Sequence, residues 1–292
     1  MLRALLKAMR PRQWIPKNAF VLAPLLFDTQ FTQKIPLLRS LAVFGLFCLL
    51  SSAVYLINDI FDIEADRQHP EKRNRPIASG KLPISTAVVT IVVLLVICLS
   101  LGYLLSFKLA LIELGYLLLM LAYSRWLKHF PLIDVLVIAA GFVLRVLAGL
   151  SVITVKYFSP WLFVVTTLLA LFLGFGKRRA ELAVLEGGAG AHRRVLDGYT
   201  IPLLDQIITI VTTATIITYS LYTFSAEITP GTHTMMLTIP FVLYGILRYL
   251  WLVQVKHAGG APEDALMTDR PLQVTVVLYG IAVFIILYFI QR

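Results

Sequence analysis

Charged residues are scarce in this chain: they make up 14% of its 292 residues, and 59% of the residues are hydrophobic. This composition lies outside the range of soluble globular proteins. Apolar runs long enough to cross a bilayer separate the few charged segments, and such runs are typical of an integral membrane protein. The chain is therefore expected to be a polytopic membrane protein of the all-α class.

Cysteine is also scarce, and a cleavable leader is not indicated. The two cysteines, Cys48 and Cys98, both fall inside apolar runs. We expect buried thiols there, and neither a disulfide nor a soft-metal site.

The N-terminus combines basic residues with Pro11 and Trp14 instead of a short apolar core and a small-residue cleavage site. No signal peptide is predicted, and insertion is expected to occur through the spans themselves.

The apolar runs predict nine membrane spans within a single domain covering residues 1–292. Their approximate limits are 18–33, 37–58, 84–106, 108–124, 131–153, 159–176, 200–222, 233–253 and 272–291. Asp28 and Gln30 interrupt the first run, and its apolar core is short for a spanning helix. Of the 26 Lys and Arg residues, 19 fall in residues 1–17 and in the loops after spans 2, 4, 6 and 8, against five on the opposite side. The positive-inside rule then predicts that the N-terminus and these loops are cytoplasmic.

The few acidic residues include a dense group at the end of the second run. Asn58, Asp59, Asp62 and Asp66 form an Asn-Asp-x-x-Asp-x-x-x-Asp series. On a helix, steps of three, four and seven residues place all four side chains on one face. Like charges this close repel, and a membrane edge solvates them poorly, so a neutralising cation is expected. Mg²⁺ is favoured, because it is usually held by one or two carboxylates and substrate phosphates. The alternative is an acidic helix end that is simply solvated by water.

A basic segment follows the acidic one directly. Pro70 is predicted to end the helix. The cations of the segment are Arg67, Lys72, Arg73, Arg75 and Lys81. A metal on the acidic face and guanidinium groups beside it together suit a diphosphate, because the metal binds some oxygens and the guanidinium groups bind others.

Three other constellations are predicted to lie on the same side. Tyr123 and Lys128 flank the loop after the fourth span, where an aromatic belt is the alternative interpretation. Arg145 lies deep in the fifth span, where an arginine requires a cavity or a partner, and it shares a helix face with Asp134.

The third constellation follows the sixth span. Lys177 and Glu181 are one helical turn apart and Arg178 is adjacent, which suits an edge that binds anions. Simple juxtamembrane charge is the alternative.

With these residues in place, the chain resembles the UbiA-type intramembrane prenyltransferase superfamily, whose first signature is the motif at 58–66. The resemblance in order and topology runs over nearly the whole chain. It implies a nine-helix bundle with a polar cavity on the cytoplasmic side, where Mg²⁺ holds a diphosphate.

One departure indicates a branch of that superfamily. The aromatic prenyltransferases carry a second Asp-rich motif after the sixth span, where this chain has Gly-Lys-Arg-Arg-Ala-Glu-Leu at 176–182. Fewer carboxylates and more cations suit a donor with an additional phosphate. The segments that resemble the decaprenyl-phosphate phosphoribosyltransferase branch lie at 10–14, 17–18, 71–78, 123–124, 127–128, 176–178, 198–200 and 269–271. Pro16 lengthens the usual Trp-x-Lys-Asn spacing before Lys17 by one residue.

The resemblance implies transfer of 5-phosphoribose from phosphoribosyl diphosphate to a polyprenyl phosphate, for synthesis of a cell-envelope glycolipid precursor. Asp59, Asp62 and Asp66 are then the catalytic residues, and together with Asn58 they hold Mg²⁺. The substrate-binding residues implied are Lys17, Arg73, Arg75, Tyr123, Lys128, Arg145, Lys177, Arg178, Glu181 and Tyr199. The acceptor is already an anion, so no strong general base is required.

Two other functions are left open. The first motif alone does not distinguish donors, so transfer of a prenyl group to an aromatic acceptor is an alternative. A transporter would have ionisable groups at mid-membrane on broken helices in two related halves, whereas this chain has mainly Arg145 and no internal repeat. A multi-pass protein of the cell membrane with a cytoplasmic active site is expected, without a nucleic-acid partner, and a homo-oligomer is left open.

Overall fold

The computed structural model describes residues 1–68, 72–156, 159–186, 194–224, 233–256 and 262–290, which form helices and no strand. The all-α class is thereby confirmed. Pro70 and residue 71 of the branch segments lie outside the described residues, as does residue 291 at the end of the last predicted span.

Eight helices of the described chain are long and apolar enough to cross a membrane, and they match eight of the nine predicted spans. These helices are Lys34–Phe61, Ile84–Leu105, Phe107–Arg125, Ile133–Leu150, Trp161–Leu185, Ile201–Phe224, Thr234–Gln254 and Arg270–Ile290. The largest difference lies in the fifth of them: its helix continues to Glu186, ten residues beyond the predicted end. Lys177, Arg178 and Glu181 are therefore helical residues.

The first predicted span, 18–33, is not confirmed. This part of the chain forms short helices at Trp14–Asn18 and Ala23–Phe27, with a 3-10 turn at Ala19–Leu22 between them. A helix of five residues rises less than 10 Å, about a third of the hydrocarbon thickness. The nine-helix count is likewise not confirmed.

Contacts divide the chain into two compact units. The first contains residues 1–25, 30–128 and 144–154. Its helices are α1 (Leu2–Met9), α2 (Trp14–Asn18), α4 (Lys34–Phe61), α5 (Ile63–Gln68), α6 (Ile84–Leu105), α7 (Phe107–Arg125) and the last turns of α8 (Ile133–Leu150). Val43, Phe47, Leu50 and Tyr116 are buried in one apolar cluster of this unit. A Cβ on Gly149 would lie 2.0 Å from the carbonyl oxygen of Val21, so only glycine permits this close approach.

The second unit contains residues 26–29, 129–143 and 155–292. Beyond α3 (Ala23–Phe27), which the two units share, its helices are the first turns of α8, then α9 (Trp161–Glu186), α10 (Ile201–Phe224), α11 (Ile239–Gln254), α12 (Pro262–Thr268) and α13 (Arg270–Ile285). Its core forms around Phe172, Leu204, Ile208 and Tyr249. The prediction of one domain over the whole chain stays a prediction.

Candidate active site

The acidic motif lies where α4 passes into α5. Helix α4 ends at Phe61, and Asp62 occupies the junction before α5 begins at Ile63. Helical hydrogen bonding nevertheless continues across the junction: the backbone N–H of Asp62 donates to the carbonyl oxygen of Asn58 (2.9 Å), and that of Asp66 donates to Asp62 (2.7 Å). The side-chain amide of Asn58 also donates to Asp62 Oδ2 (3.1 Å). The predicted common face of the motif is therefore present in the structure.

Each carboxylate of the motif forms an ion pair with a cation from another part of the first unit. Arg75 Nη1 bridges Asp59 Oδ1 (3.1 Å) and Asp66 Oδ2 (2.7 Å). Arg10 Nη2 donates to the same Asp59 Oδ1 (2.6 Å), and Lys128 Nζ donates to Asp62 Oδ1 (2.5 Å). Three carboxylates thus face three cations, so burial of Asp59 and Asp66 is offset by charge neutralisation.

The loop that carries Arg75 is folded on itself and anchored by apolar residues. The N–H of Leu82 donates to the carbonyl oxygen of Pro76 (2.9 Å), and the N–H of Ser79 donates to that of Arg75 (2.9 Å). Gly80 has a φ of 74°, a conformation that favours glycine. Ile77 and Leu82 are buried in an apolar cluster with residues of α1, α4 and α6. This anchoring holds the Arg75 guanidinium beside α4 and α5.

The donor chemistry of the motif fits Mg²⁺. Carboxylate and amide oxygens are the hard ligands that this ion prefers. Within the described part of the chain, however, no three His, Cys, Asp or Glu side chains converge on one metal position. The arrangement therefore fits an ion held by one or two carboxylates, with phosphate oxygens of a substrate completing its shell.

The other predicted site residues of the first unit lie at different distances from the motif. Lys17 Nζ donates to Gln13 (2.9 Å) and lies 5.6 Å from the centre of the Tyr55 ring, about one turn before Asn58. Tyr123 is half-buried in the last turns of α7. Arg73 is exposed and makes no hydrogen bond or ion pair with the residues that the structure describes.

Arg145 is buried in a polar cluster of the first unit. Its Nε donates to Asn18 Oδ1 (2.8 Å) and its Nη2 donates to the hydroxyl of Tyr116 (2.9 Å), over whose ring the guanidinium also lies at 4.8 Å. Ser51 is a more distant partner of Nη2, at 3.4 Å. The sequence expectation that an arginine at this depth requires polar partners is therefore confirmed.

The predicted residues of the second unit form a separate buried network around Arg178. Its Nε donates to Asp134 Oδ2 (2.6 Å) and its Nη1 donates to Glu181 (2.5 Å). The hydroxyl of Tyr199 donates to Asp134 Oδ1 (2.9 Å) and accepts from the backbone N–H of Leu132 (2.6 Å). Burial is the main cause that raises the pKa of Tyr199, so this hydroxyl stays protonated at neutral pH.

The neighbours of Arg178 on α9 are arranged differently. Lys177 is half-buried. Arg179 Nε forms an ion pair with Asp205 of α10 (2.6 Å), which is 37% exposed. The three adjacent cations thus point in different directions, as expected for consecutive positions of a helix.

Sequence reasoning did not single out Arg10, Asn18 or Tyr116 as site residues. Arg10 precedes a proline in a basic N-terminal segment, where a cation is ordinarily explained by membrane topology. Arg10 and Asn18 lie in two of the segments that resemble the phosphoribosyltransferase branch, at 10–14 and 17–18, whereas Tyr116 is a single polar residue in an apolar run, without a spacing that signals a site. An arginine inside a span requires polar partners, so a search for polar residues in the other predicted spans could have identified candidates for Arg145.

Helices long and apolar enough to span a membrane, together with a partly buried face of ion-paired carboxylates, are the features of a multi-pass membrane protein with a polar site. The family model of the UbiA prenyltransferase family matches residues 29–268. The chain belongs to that family.

Curated relatives cover most of this chain. The decaprenyl-phosphate phosphoribosyltransferase of Corynebacterium glutamicum is 36% identical, over 97% of this chain and 86% of that protein. The protein of the same name from Mycobacterium tuberculosis strain H37Rv is 38% identical, over 91% of this chain and 88% of its own length.

Solved structures share the fold. A UbiA homologue from Archaeoglobus fulgidus bound to GPP and Mg²⁺ has a TM-score of 0.74 at 18% identity, covering 97% of this chain and 99% of that one. A digeranylgeranylglyceryl phosphate synthase structure has a TM-score of 0.66 at 19% identity, covering 97% of each chain. At these identities the likeness concerns the fold.

Proposed function

We propose that this protein transfers 5-phosphoribose from phosphoribosyl diphosphate to a polyprenyl phosphate and releases diphosphate. The observation that carries the proposal is the match to relatives named decaprenyl-phosphate phosphoribosyltransferase, at 36% and 38% identity over nearly the full length of this chain. The cation-rich stretch at 176–182, in place of a second Asp-rich motif, supports the same donor. A phosphoribosyl donor has a 5-phosphate in addition to its diphosphate, so it requires more cations than a prenyl donor.

In the proposed reaction, the bond between the anomeric carbon and the diphosphate oxygen breaks, and a bond to an oxygen of the lipid phosphate forms. One or two of the carboxylates in the motif of Asn58, Asp59, Asp62 and Asp66 would hold Mg²⁺, which when bound would neutralise charge on the leaving diphosphate. Arg75 and Lys128 already lie against these carboxylates, close enough to donate to phosphate oxygens. The acceptor attacks as an anion, which is why the described site needs no strong general base.

In the second unit we propose that one residue positions neighbouring side chains and that others contact the substrate. Arg178 is held by two carboxylates, so its main proposed role is to fix the orientation of Asp134 and Glu181. Glu181, 24% exposed and held by Arg178, would then orient a ribose hydroxyl. Lys177 and Tyr199 are proposed as further substrate contacts, together with Lys17, Arg73, Tyr123 and Arg145 in the first unit.

The described part of the chain has eight candidate spans, and the protein is a multi-pass membrane protein. We propose the bacterial inner or plasma membrane as its location, with the loops that carry Arg75 and Lys128, and the end of α9 that carries Lys177, on the cytoplasmic side. The excess of Lys and Arg in these loops supports that orientation. The polyprenyl chain of the acceptor would stay in the bilayer.

Prenyl transfer is the second candidate. It is favoured by one observation: the structurally similar UbiA homologue of Archaeoglobus fulgidus was solved with GPP and Mg²⁺. The two candidates differ in the donor, so the donor that is consumed distinguishes them.

The test uses purified protein in detergent with Mg²⁺, labelled phosphoribosyl diphosphate and a polyprenyl phosphate. The proposal predicts label in the lipid phase that disappears when EDTA removes the metal. A parallel reaction contains labelled prenyl diphosphate and an aromatic acceptor. Prenylation in that reaction, without phosphoribosyl transfer in the first, would replace the proposal with the second candidate.

A further inference from the structure

The backbone of Arg10 is fixed in an uncommon conformation. It has φ 55° and ψ 57°, in the left-handed region that non-glycine residues seldom adopt. Helix α1 ends at Met9, and the N–H of Arg10 donates to the carbonyl oxygen of Lys7 (3.3 Å). Such a conformation persists where the surrounding contacts hold it, and it is often found at functional sites.

Contacts on both sides of Arg10 attach this segment to α4. Trp14 Nε1 donates to Ser52 Oγ (3.0 Å) and to the carbonyl oxygen of Met9 (3.2 Å). Ser52 Oγ donates to the same carbonyl (3.1 Å). Ala8 and Met9 are buried in the apolar cluster that includes Ala53 and Leu56 of α4. The position of Arg10 over the last turns of α4 is therefore determined by the fold.

The side chain of Arg10 reaches the acidic motif. Its Nη2 lies 2.6 Å from Asp59 Oδ1, the oxygen that also accepts from Arg75 (3.1 Å). Its guanidinium lies 4.9 Å from the centre of the Tyr55 ring, one turn earlier on α4. The Tyr55 ring supports a cation at this place through a cation–π contact. Asp59 Oδ1 thus accepts from two guanidinium groups, one of which, Arg75, it shares with Asp66.

These contacts set a condition on metal binding. A metal ligated by Asp59 must share or displace the two guanidinium groups on Oδ1, and it is repelled by both of them. A diphosphate removes this obstacle, because its oxygens accept from the guanidinium groups while others bind the metal. The cations therefore oppose the metal alone and favour the metal together with diphosphate.

We propose that Arg10, with Arg75, is a resident counterion of Asp59 that passes from the carboxylate to the diphosphate as the metal binds, so that metal and diphosphate bind cooperatively. Arg10 is a positioning and anion-binding residue of the N-terminal segment in this account. The inference rests on the proposed function for the identity of the donor, although diphosphate is common to phosphoribosyl and prenyl donors.

The test measures binding of Mn²⁺, a spectroscopic substitute for Mg²⁺, by electron paramagnetic resonance of the full-length protein with and without inorganic pyrophosphate. Pyrophosphate should tighten Mn²⁺ binding about tenfold or more in the unaltered protein, within the usual range of coupling between two ligands. Arg10→Gln should bind Mn²⁺ alone several times more tightly and lose most of the cooperativity. Arg12→Gln removes the same charge from an exposed position two residues away and should resemble the unaltered protein.

Three results would overturn the inference. The first is Mn²⁺ binding that does not depend on pyrophosphate in the unaltered protein. The second is an Arg10→Gln protein that binds Mn²⁺ alone no more tightly than Arg12→Gln does. If Arg10→Gln does not fold, Arg75→Gln replaces it, because Arg75 donates to the same oxygen of Asp59. The third result is then an Arg75→Gln protein that binds Mn²⁺ alone no more tightly than the unaltered protein does. None of these measurements uses sugar transfer, so failure of the inference and failure of the proposed function are distinguished.

Discussion

Arg178 and Asp134 form an ion pair with both side chains almost fully buried, at 2% and 0% exposure and an Nε–Oδ2 distance of 2.6 Å. The pair joins α9 to the beginning of α8 within the second unit. A buried pair of this kind is costly to break, because Arg178 then keeps only Glu181 as a carboxylate partner, in surroundings that water hardly reaches.

Asp134→Leu is therefore expected to destabilise the protein by about 3 kcal/mol, since it leaves Arg178 with Glu181 as its one carboxylate partner among the described contacts and Tyr199 without its acceptor. The Arg179–Asp205 pair provides a less buried comparison, because Arg179 is 12% and Asp205 is 37% exposed. Asp205→Leu should therefore cost less than Asp134→Leu. Unfolding of the two purified variants in detergent, followed by intrinsic fluorescence, measures the difference. Equal losses would show that burial of the Asp134 pair has no energetic weight.

Glu113 is a second buried group with energetic consequences. Its side chain is fully buried in α7, and neither carboxylate oxygen has a hydrogen-bond partner among the described residues. Glu113→Leu is expected to stabilise the protein by about 1–3 kcal/mol, because an unsatisfied polar group leaves the interior. The melting temperature in detergent checks this, and a lower value would indicate that Glu113 contributes a favourable interaction.

Gly102 of α6 lies against the Glu113 side chain, so a substitution there tests how this buried carboxylate packs. A Cβ at this position would lie 2.1 Å from Glu113 Oε2. Gly102→Ala should destabilise the unaltered protein by about 1–3 kcal/mol through overpacking. In a Glu113→Ala background the same substitution should cost much less, because the clashing carboxylate is gone. Additive effects in the double variant would contradict the packing shown by the structure.

Stability at acid pH should depend on Asp269, the N-cap of α13. A hydrogen bond from Arg248 is the main cause that lowers the pKa of Asp269, with a further contribution from the N–H of Leu272. A carboxyl whose pKa is lower in the folded protein stabilises it above the unfolded value of about 4. This contribution is lost as the pH falls through the folded pKa. Asp269→Asn should therefore flatten the dependence of the melting temperature on pH below about 4.5. An unchanged slope would exclude Asp269 as its source.

Arg145 should affect both stability and turnover. Arg145→Leu leaves Asn18 and Tyr116 without their shared donor, so it is expected to cost about 1–3 kcal/mol and to slow transfer. Tyr116→Phe removes one of these hydrogen bonds and keeps the arginine, and it should cost about 1 kcal/mol. Transfer rates are measured at a temperature where both variants are fully folded. Together with the melting temperatures, they separate the effect on turnover from the effect on stability. An unchanged rate in Arg145→Leu would assign this residue a structural role only.

The sequence predicted the features that depend on local pattern. The apolar runs located eight of the spans, and the spacing of Asn58, Asp59, Asp62 and Asp66 predicted their common face. The first span is not confirmed, because the chain over 18–33 forms helices of five residues or fewer, which hydropathy does not register. The ion-pair partners of these residues could not be predicted from local pattern, because they are far apart in the sequence. Arg10 and Asp59 are 49 positions apart and Asp134 and Arg178 are 44 apart, and only the tertiary fold brings them together.

The acidic face is proposed to bind the diphosphate of the donor through a metal. Asp62→Asn removes one carboxylate of this face, and Glu64→Gln is the control, because Glu64 lies two residues away, is 76% exposed and pairs with Arg67 outside the motif. In the phosphoribosyl transfer assay, the rate of Asp62→Asn should be at least about 100-fold lower than that of the unaltered protein, because a group that stabilises the leaving anion is lost. The rate of Glu64→Gln should stay within about twofold of the unaltered protein. An Asp62→Asn protein that transfers phosphoribose at the normal Mg²⁺-dependent rate would contradict the claim.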